Sequence, residues 1–236
     1  MRDALIIPLS NEESLVLASD NSGAIGMKDA DLVHVPYETV AYYALRVAAM
    51  ECIAAGGEPF SVVLHNFCGN DPWEDLTKGI KKGLNELKLK DVLITGSTES
   101  NFTMLQSAVG LIVLGKKHWT KQVDLEYSDQ LKFTCIGLPL VGNEVVKRID
   151  EIVPLEMFQK VCGMKGVMVW PVGSKGVLCE LKQMFPEMEF SNVMSDIDVQ
   201  KSSGPATCFI AAFDPENEGS VKKLTGPYFH ELQIER

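Results

Sequence analysis

The chain has none of the short signatures by which most phosphate-binding and hydrolytic folds are recognised. It contains no Gly-x-x-x-x-Gly-Lys-[Ser/Thr] loop, no kinase-type glycine-rich loop and no Gly-x-Gly-x-x-Gly turn, which excludes the commonest nucleotide-cradling architectures. There is no Gly-x-Ser-x-Gly elbow. The histidines His34, His65, His118 and His230 stand far apart with no His-Glu-x-x-His pair, so a zinc enzyme is not expected. The six cysteines form no Cys-x-x-Cys pair and sit in apolar stretches such as TCIGL and TCFIAAF, as buried reduced thiols do. Basic residues are scarce: 22 Lys and Arg face 32 Asp and Glu, a net charge of −10 with no basic run to follow a phosphate backbone. Nucleic acid is therefore not an expected partner. No apolar run approaches the roughly 18 to 20 residues that span a bilayer, and MRDALIIPLSNEESLVLASD has no signal-peptide core. The expected protein is cytoplasmic and makes no membrane contact.

What remains is ample material for a core, with 46% hydrophobic residues over 236 positions, enough for one large domain or two small ones. LVLAS and LVHVPY read as strands separated by turn residues Asp20 to Gly23. From Thr39 to about Ala55, Val40, Tyr43, Ala44, Val47, Ala48 and Ile53 recur at helical spacing, with Gly56-Gly57 as a stop. PFSVVLHNF reads as a strand. Asp71 to Asp75 reads as a helix start, with Leu76, Ile80, Leu84 and Leu87 on one face. DVLITG and SAVGLIVLG read as further strands. Periodicity lapses from about Lys116 to Gln130, which predicts a join between an N-terminal domain, 1–120, and a C-terminal domain, 121–236. Beyond it, strands in LKFTCIGLPLV, GVMVWPV, Met188 to Val193 and ATCFIAAF alternate with helices near Glu144 to Ile149, Leu155 to Val161 and Gly176 to Met184. This alternation predicts a two-part α/β or α+β protein.

Three polar clusters are candidates for chemistry. Ser19-Asp20-Asn21-Ser22-Gly23 sets a carboxylate beside small polar residues and a glycine that admits close backbone approach, or is an Asx turn. Glu51 lies inside the apolar helix LRVAAMECIAAGG, where a buried carboxylate needs a metal or basic partner. Gly96-Ser97-Thr98-Glu99-Ser100-Asn101 follows a core strand directly. Together Asp20, Glu51 and Glu99 offer hard oxygen ligands of the kind Mg²⁺ takes with substrate phosphate and water. In the second half, Gly173-Ser174-Lys175-Gly176 precedes a helix, where backbone N–H groups and a lysine could hold an anion, or is a turn with a solvated lysine. Trp170, Phe213, Tyr228 and Phe229 could stack on a flat ligand, but core packing is their default.

These clusters resemble a known family. Met50-Glu51-Cys52-Ile53-Ala54-Ala55-Gly56-Gly57-Glu58-Pro59 is similar to the N-D-I-x-x-x-G-A-E-P segment of aminoimidazole ribonucleotide synthetase, and Ile94 to Glu99 with Val109-Gly110-Leu111 is similar to its G-G-[ED]-T segment and following strand. The superfamily includes thiamine-monophosphate kinase, selenophosphate synthetase and a hydrogenase-maturation protein. The resemblance covers the first half well and the second only faintly, with Asp129 to Pro139 and Val172 to Leu181 where the family has its G-D and S-D-G-[LI] segments. It implies an N-terminal sheet with helices that pairs with a second copy into a dimeric barrel, a trimmed C-terminal α/β subdomain, and ATP with Mg²⁺ as cofactors. VPYETVAYYALRVAAMECIAAGGEP, NFCGN and ITGSTESNFTMLQSAVG look most similar to the α-ribazole kinases of cobalamin salvage. That would imply transfer of the ATP γ-phosphate to the 5′-hydroxyl of a nucleoside-like substrate, α-ribazole. On this resemblance Asp20, Glu51 and Glu99 hold the metal–ATP complex, and Asn21, Ser22, Gly23, Gly96, Ser97, Thr98, Asn101 and Asn66 line the phosphates or ribose. Ser174 and Lys175 lie on the substrate side. The sequence departs from the pattern where paired aspartates become Asp20-Asn21, where the family Asp becomes Glu51, and where Lys175 replaces a common acid. Two other outcomes stay open: a thiamine-phosphate-kinase-like member, or a non-catalytic ATP-binding subunit.

Overall fold

The computed structural model describes residues 3–190 and 192–235, and the chain divides into two compact units, Asp3–Lys121 and 122–235. The first is built on a five-stranded sheet of β1 (Ala4–Pro8), β2 (Glu13–Gly23), β5 (Glu58–Asn66), β6 (Leu93–Thr98) and β7 (Ala108–His118), with a small pair formed by β3 (Ile25–Gly26) and β4 (Val33–His34). The strand order is β1-β2-β7-β5-β6, antiparallel except for β5 with β6, whose parallel crossover is α2 (Trp73–Glu86). The other helix of this unit, α1 (Tyr37–Ala54), packs on β2 and β7 and against α2.

Alternation decides which side of β2 and β7 the helix covers. Val16 and Ala18 on β2, and Val109, Leu111 and Val113 on β7, are buried, whereas the residues between them are partly open. Small residues let α1 and α2 approach closely. A methyl group at Gly79 would overlap the Glu38 carbonyl of α1, and one at Gly83 would meet the Leu45 side chain. Arg46 is fully buried in this contact beside Tyr42, Tyr43 and Glu86, and Tyr42 donates to Glu86 Oε2 at 2.7 Å. Burying a guanidinium is costly unless its charge is met by such groups.

Two expectations change here. Asp20 to Gly23 form no turn: they continue β2, paired residue by residue with Leu111 to Ala108 of β7. Ser97 and Thr98 likewise belong to β6, extending the strand expected in DVLITG and paired with His65 and Asn66. Polar composition marked both segments as loops, but a neighbouring strand satisfies their backbone groups, and ladder pairing overrides propensity.

The second unit holds a four-stranded antiparallel sheet in the order β12-β8-β11-β9: β8 (Lys132–Ile136), β9 (Val167–Pro171), β11 (Phe209–Phe213) and β12 (Phe229–Glu231). β10 (Asn192–Met194) pairs with β13 (Gln233–Glu235). Helices α3 (Asn143–Lys147), α4 (Leu155–Cys162), α5 (Val177–Met184) and α6 (Glu218–Thr225) complete it. β9 and β11 are buried along their whole length, so they read as unbroken apolar runs. Their core joins Phe133, Phe185 and Phe190 in edge-to-face contacts at 5.8 and 6.1 Å. α6, β12 and β13 carry weak periodicity and were not legible in the sequence. Among the described residues no helix is long and apolar enough to cross a membrane.

Candidate functional site

Three connections gather at one end of the first unit's sheet: the segment 24–36 before α1, the segment 67–72 before α2, and the segment 99–107 between β6 and β7. Asn66, at the end of β5, ties two of them together. It is buried, and its amide donates to the Gly69 carbonyl at 2.7 Å and to Thr98 Oγ1 at 3.2 Å, while its Oδ1 accepts the Cys68 N–H at 2.8 Å. The Asn66 carbonyl accepts the Glu99 N–H at 2.8 Å. Glu99 Oε1 then accepts the N–H groups of Asn101 and Phe102 at 2.7 and 3.2 Å, which curls the start of the 99–107 loop around the carboxylate. Asn66, Thr98, Glu99 and Asn101 are therefore brought together. Asn66 acts as a structural hub, its side-chain oxygen and amide already engaged, rather than as a group reaching for a ligand.

Asp20 and Ser22 share the α1-facing side of β2 with Val16 and Ala18, whereas Asn21 and Gly23 face the other side. Burial pushes the Asp20 carboxyl up to about 6, against the backbone N–H of Asn21, which favours the charged form. Glu51 lies elsewhere. Its neighbour Cys52 sits against Gly57 and Gly115, where a methyl on either glycine would strike the sulfur. Thr98, the residue before Glu99, pairs with Asn66, and Asn66 with Val109, whereas Cys52 lies at Gly115, so at about 3.4 Å per residue Glu51 is displaced on the order of 20 Å along β7 from Glu99. Among the described residues no group of three or more His, Cys, Asp or Glu could hold a metal ion. The single three-carboxylate magnesium centre expected from Asp20, Glu51 and Glu99 does not fit the described residues.

In the second unit, Ser174 and Lys175 are exposed at the turn before α5. Gly176 adopts a positive φ of 81°, and a side chain there would run into the backbone of Gln200 and Lys201. Gly173 accepts the Ser203 N–H at 3.1 Å, and Ser203, Thr207 and Cys208 form a buried hydroxyl and thiol cluster beneath. Two clefts of this unit, about 320 and 440 Å³, are lined by Tyr127, Phe133 and Leu232 and by Asp196, Lys222 and Phe229; neither is lined by Ser174 or Lys175.

Sequence reasoning missed the buried carboxylate of the loop end, Asp31. Asp31 accepts from the Ser107 N–H and Oγ–H, both at 2.7 Å, and from the Lys28 N–H at 2.9 Å. The run Asp29-Ala30-Asp31 offered two similar carboxylates, and only the fold separates the exposed Asp29 from the buried Asp31.

The chain matches no protein-family model and no curated protein. Its fold is nevertheless found among solved structures, as a two-part α/β architecture. Thermotoga maritima PurL complexed with AMPPCP is 12% identical with a TM-score of 0.65, over 98% of this chain and 42% of that one. Thiamine monophosphate kinase from Aquifex aeolicus is 11% identical with a TM-score of 0.64, over 100% of this chain and 89% of that one. A HypE–HypF complex gives 13%, 0.61, 100% and 88%. The fold is the aminoimidazole-ribonucleotide-synthetase-like fold these neighbours share, and the chain spans about two fifths of the length of the PurL chains it matches.

Proposed function

We propose that the protein is an ATP-dependent phosphotransferase acting on a small nucleoside-like alcohol, with the 5′-hydroxyl of α-ribazole as the acceptor. The observation that carries this reading is the convergence of Asn66, Thr98, Glu99 and Asn101 with the 24–36 loop at one end of the sheet, in a fold whose neighbours include a thiamine-monophosphate kinase complexed with AMPPCP and TMP. In this reading the acceptor hydroxyl oxygen bonds to the γ-phosphorus and gives up its proton to solvent, the bond to the bridging oxygen breaks, and ADP leaves with the electron pair. The protein's part is alignment and charge placement, which suffices when the transition state is loose. Magnesium enters with the nucleotide as part of the substrate. Thr98 Oγ1 keeps its proton for a phosphate oxygen, because it accepts from Asn66. Asn21, Ser22, Gly23, Gly96 and Ser97 are assigned to the nucleotide, and Ser174 and Lys175 to the acceptor.

The protein is further proposed to act in the cytoplasm as a homodimer, closed over the face of the sheet opposite α1. There Leu5 and Ile7 are 57% and 37% exposed, and Leu93 of edge strand β6 is 71% exposed, as expected of a face that a second copy covers. A second reading, a non-catalytic ATP-binding subunit, is favoured by one observation: no three-carboxylate group assembles among the described residues. ATP consumption with Mg²⁺ and α-ribazole, thiamine monophosphate or neither, with the product identified by mass spectrometry, separates the readings. α-Ribazole phosphate supports the first; nucleotide binding without turnover supports the second.

A further inference from the structure

The 99–107 loop is anchored at both ends but solvent-facing between them, with Phe102 and Leu105 about four-fifths exposed. Its first anchor is Glu99 on Asn66. Its last residue, Ser107, is held by the 24–36 loop, and the geometry there is closely specified. An ionised carboxylate can only accept, so Ser107 must spend its one hydroxyl proton on Asp31 Oδ2. Tyr37 is then the donor in its 3.0 Å contact with Ser107 Oγ, which makes a directed chain from Tyr37 through Ser107 to Asp31. The Ser107 carbonyl accepts the Ala24 N–H at 2.8 Å, so this residue's N–H, hydroxyl and carbonyl are all engaged by the 24–36 segment. Two exposed contacts run parallel: Lys28 Nζ to the Met104 carbonyl and Gln106 Nε2 to the Ala30 carbonyl, at 2.8 and 2.7 Å. Gly26 closes the arrangement, because a side chain there would collide with Ser107 and the Tyr37 ring. Burial alone would raise the Asp31 carboxyl; the Ser107 N–H and hydroxyl, the Lys28 N–H and nearby His34 outweigh it and hold the carboxyl below its usual range.

We propose that Asp31 is a positioning residue: through Ser107 it sets the shape in which the 99–107 loop presents Glu99 and Asn101 to the nucleotide, beside Thr98 at the end of β6. The inference rests on the ATP reading above. Charge-assisted bonds to a buried carboxylate are the strong members of a loop's hydrogen-bond set, and the two exposed bonds alone leave the loop free to exchange between shapes. Asp31→Asn replaces one acceptor by a donor facing another donor. Ser107→Ala removes only the hydroxyl and keeps the backbone N–H on Oδ1.

The test has two parts on the full chain. In hydrogen exchange without ligand, amides 101–107 are expected to exchange at least tenfold faster in Asp31→Asn, and less so in Ser107→Ala, while the core of α1 and β7 keeps its protection. ATP binding measured by calorimetry is expected to weaken at least tenfold in Asp31→Asn and to stay unchanged in Asp29→Asn, the exposed neighbour. Unchanged loop exchange in both clasp variants overturns the clasp. Faster exchange with unaltered ATP affinity overturns the positioning role. If the wild type itself binds no ATP, the functional reading and the nucleotide half of this proposal fall together, and the exchange data still decide the clasp. Should Asp31→Asn fail to fold, Ser107→Ala carries both measurements.

Discussion

Replacing Asp20 by asparagine should stabilise the protein at neutral pH and weaken its hold on a cation–nucleotide complex. The carboxyl is shifted from an ordinary 3.8 to about 6, with burial as the main cause. At about 1.4 kcal/mol per tenfold change in proton affinity, that difference corresponds to at most about 3 kcal/mol against folding at pH 7. Solvent access to the half-buried side chain reduces this to about 1–2 kcal/mol. The sign follows from the direction of the shift. A carboxyl raised in the folded state favours folding fully below its unfolded value near 4 and loses that contribution as pH rises through about 6. Asp20→Asn should therefore match the wild type near pH 4 and exceed it at pH 7.5, by about 2–8 °C in thermal midpoint at about 2–4 °C per kcal/mol. Midpoints of both proteins from pH 4 to 8, with and without Mg²⁺ and ATP, make the assay. Added nucleotide should stabilise the wild type more than the variant. A midpoint difference that is the same at every pH, or a variant less stable at pH 7.5, would refute the reasoning.

Other predictions probe separate parts of the molecule. Gly79→Ala forces α1 and α2 apart and should cost about 1–3 kcal/mol in urea unfolding; a neutral result would mean the helices part freely. Asn66→Ala leaves the Cys68 N–H and the Gly69 carbonyl without their side-chain partner and should lower stability by about 1–3 kcal/mol and loosen the 67–72 loop in hydrogen exchange.

Much of the architecture was legible because it rests on local periodicity. The helical recurrence from Val40 to Ile53 is α1 (Tyr37–Ala54), and the run Leu76, Ile80, Leu84 gives α2. Unbroken apolar stretches became β7, β9 and β11. The failures share a cause. Asp20 to Gly23 and Ser97-Thr98 look like loops in isolation because their polarity is local information, and the strands that pair with them lie far away in sequence.

The sequence by itself determined the two-part α/β class, the acidic net charge, the lack of a P-loop and the places where polar clusters interrupt apolar runs, all properties of composition and of spacing within a few residues. Only the tertiary structure decided which clusters meet. It joined Asn66 to Thr98 and Glu99, set Glu51 toward the opposite end of β7, and buried Asp31 against Ser107 across 76 residues of chain. Hydrogen bonds between distant loops depend on how the intervening strands order and register in the sheet, and no local pattern encodes that order.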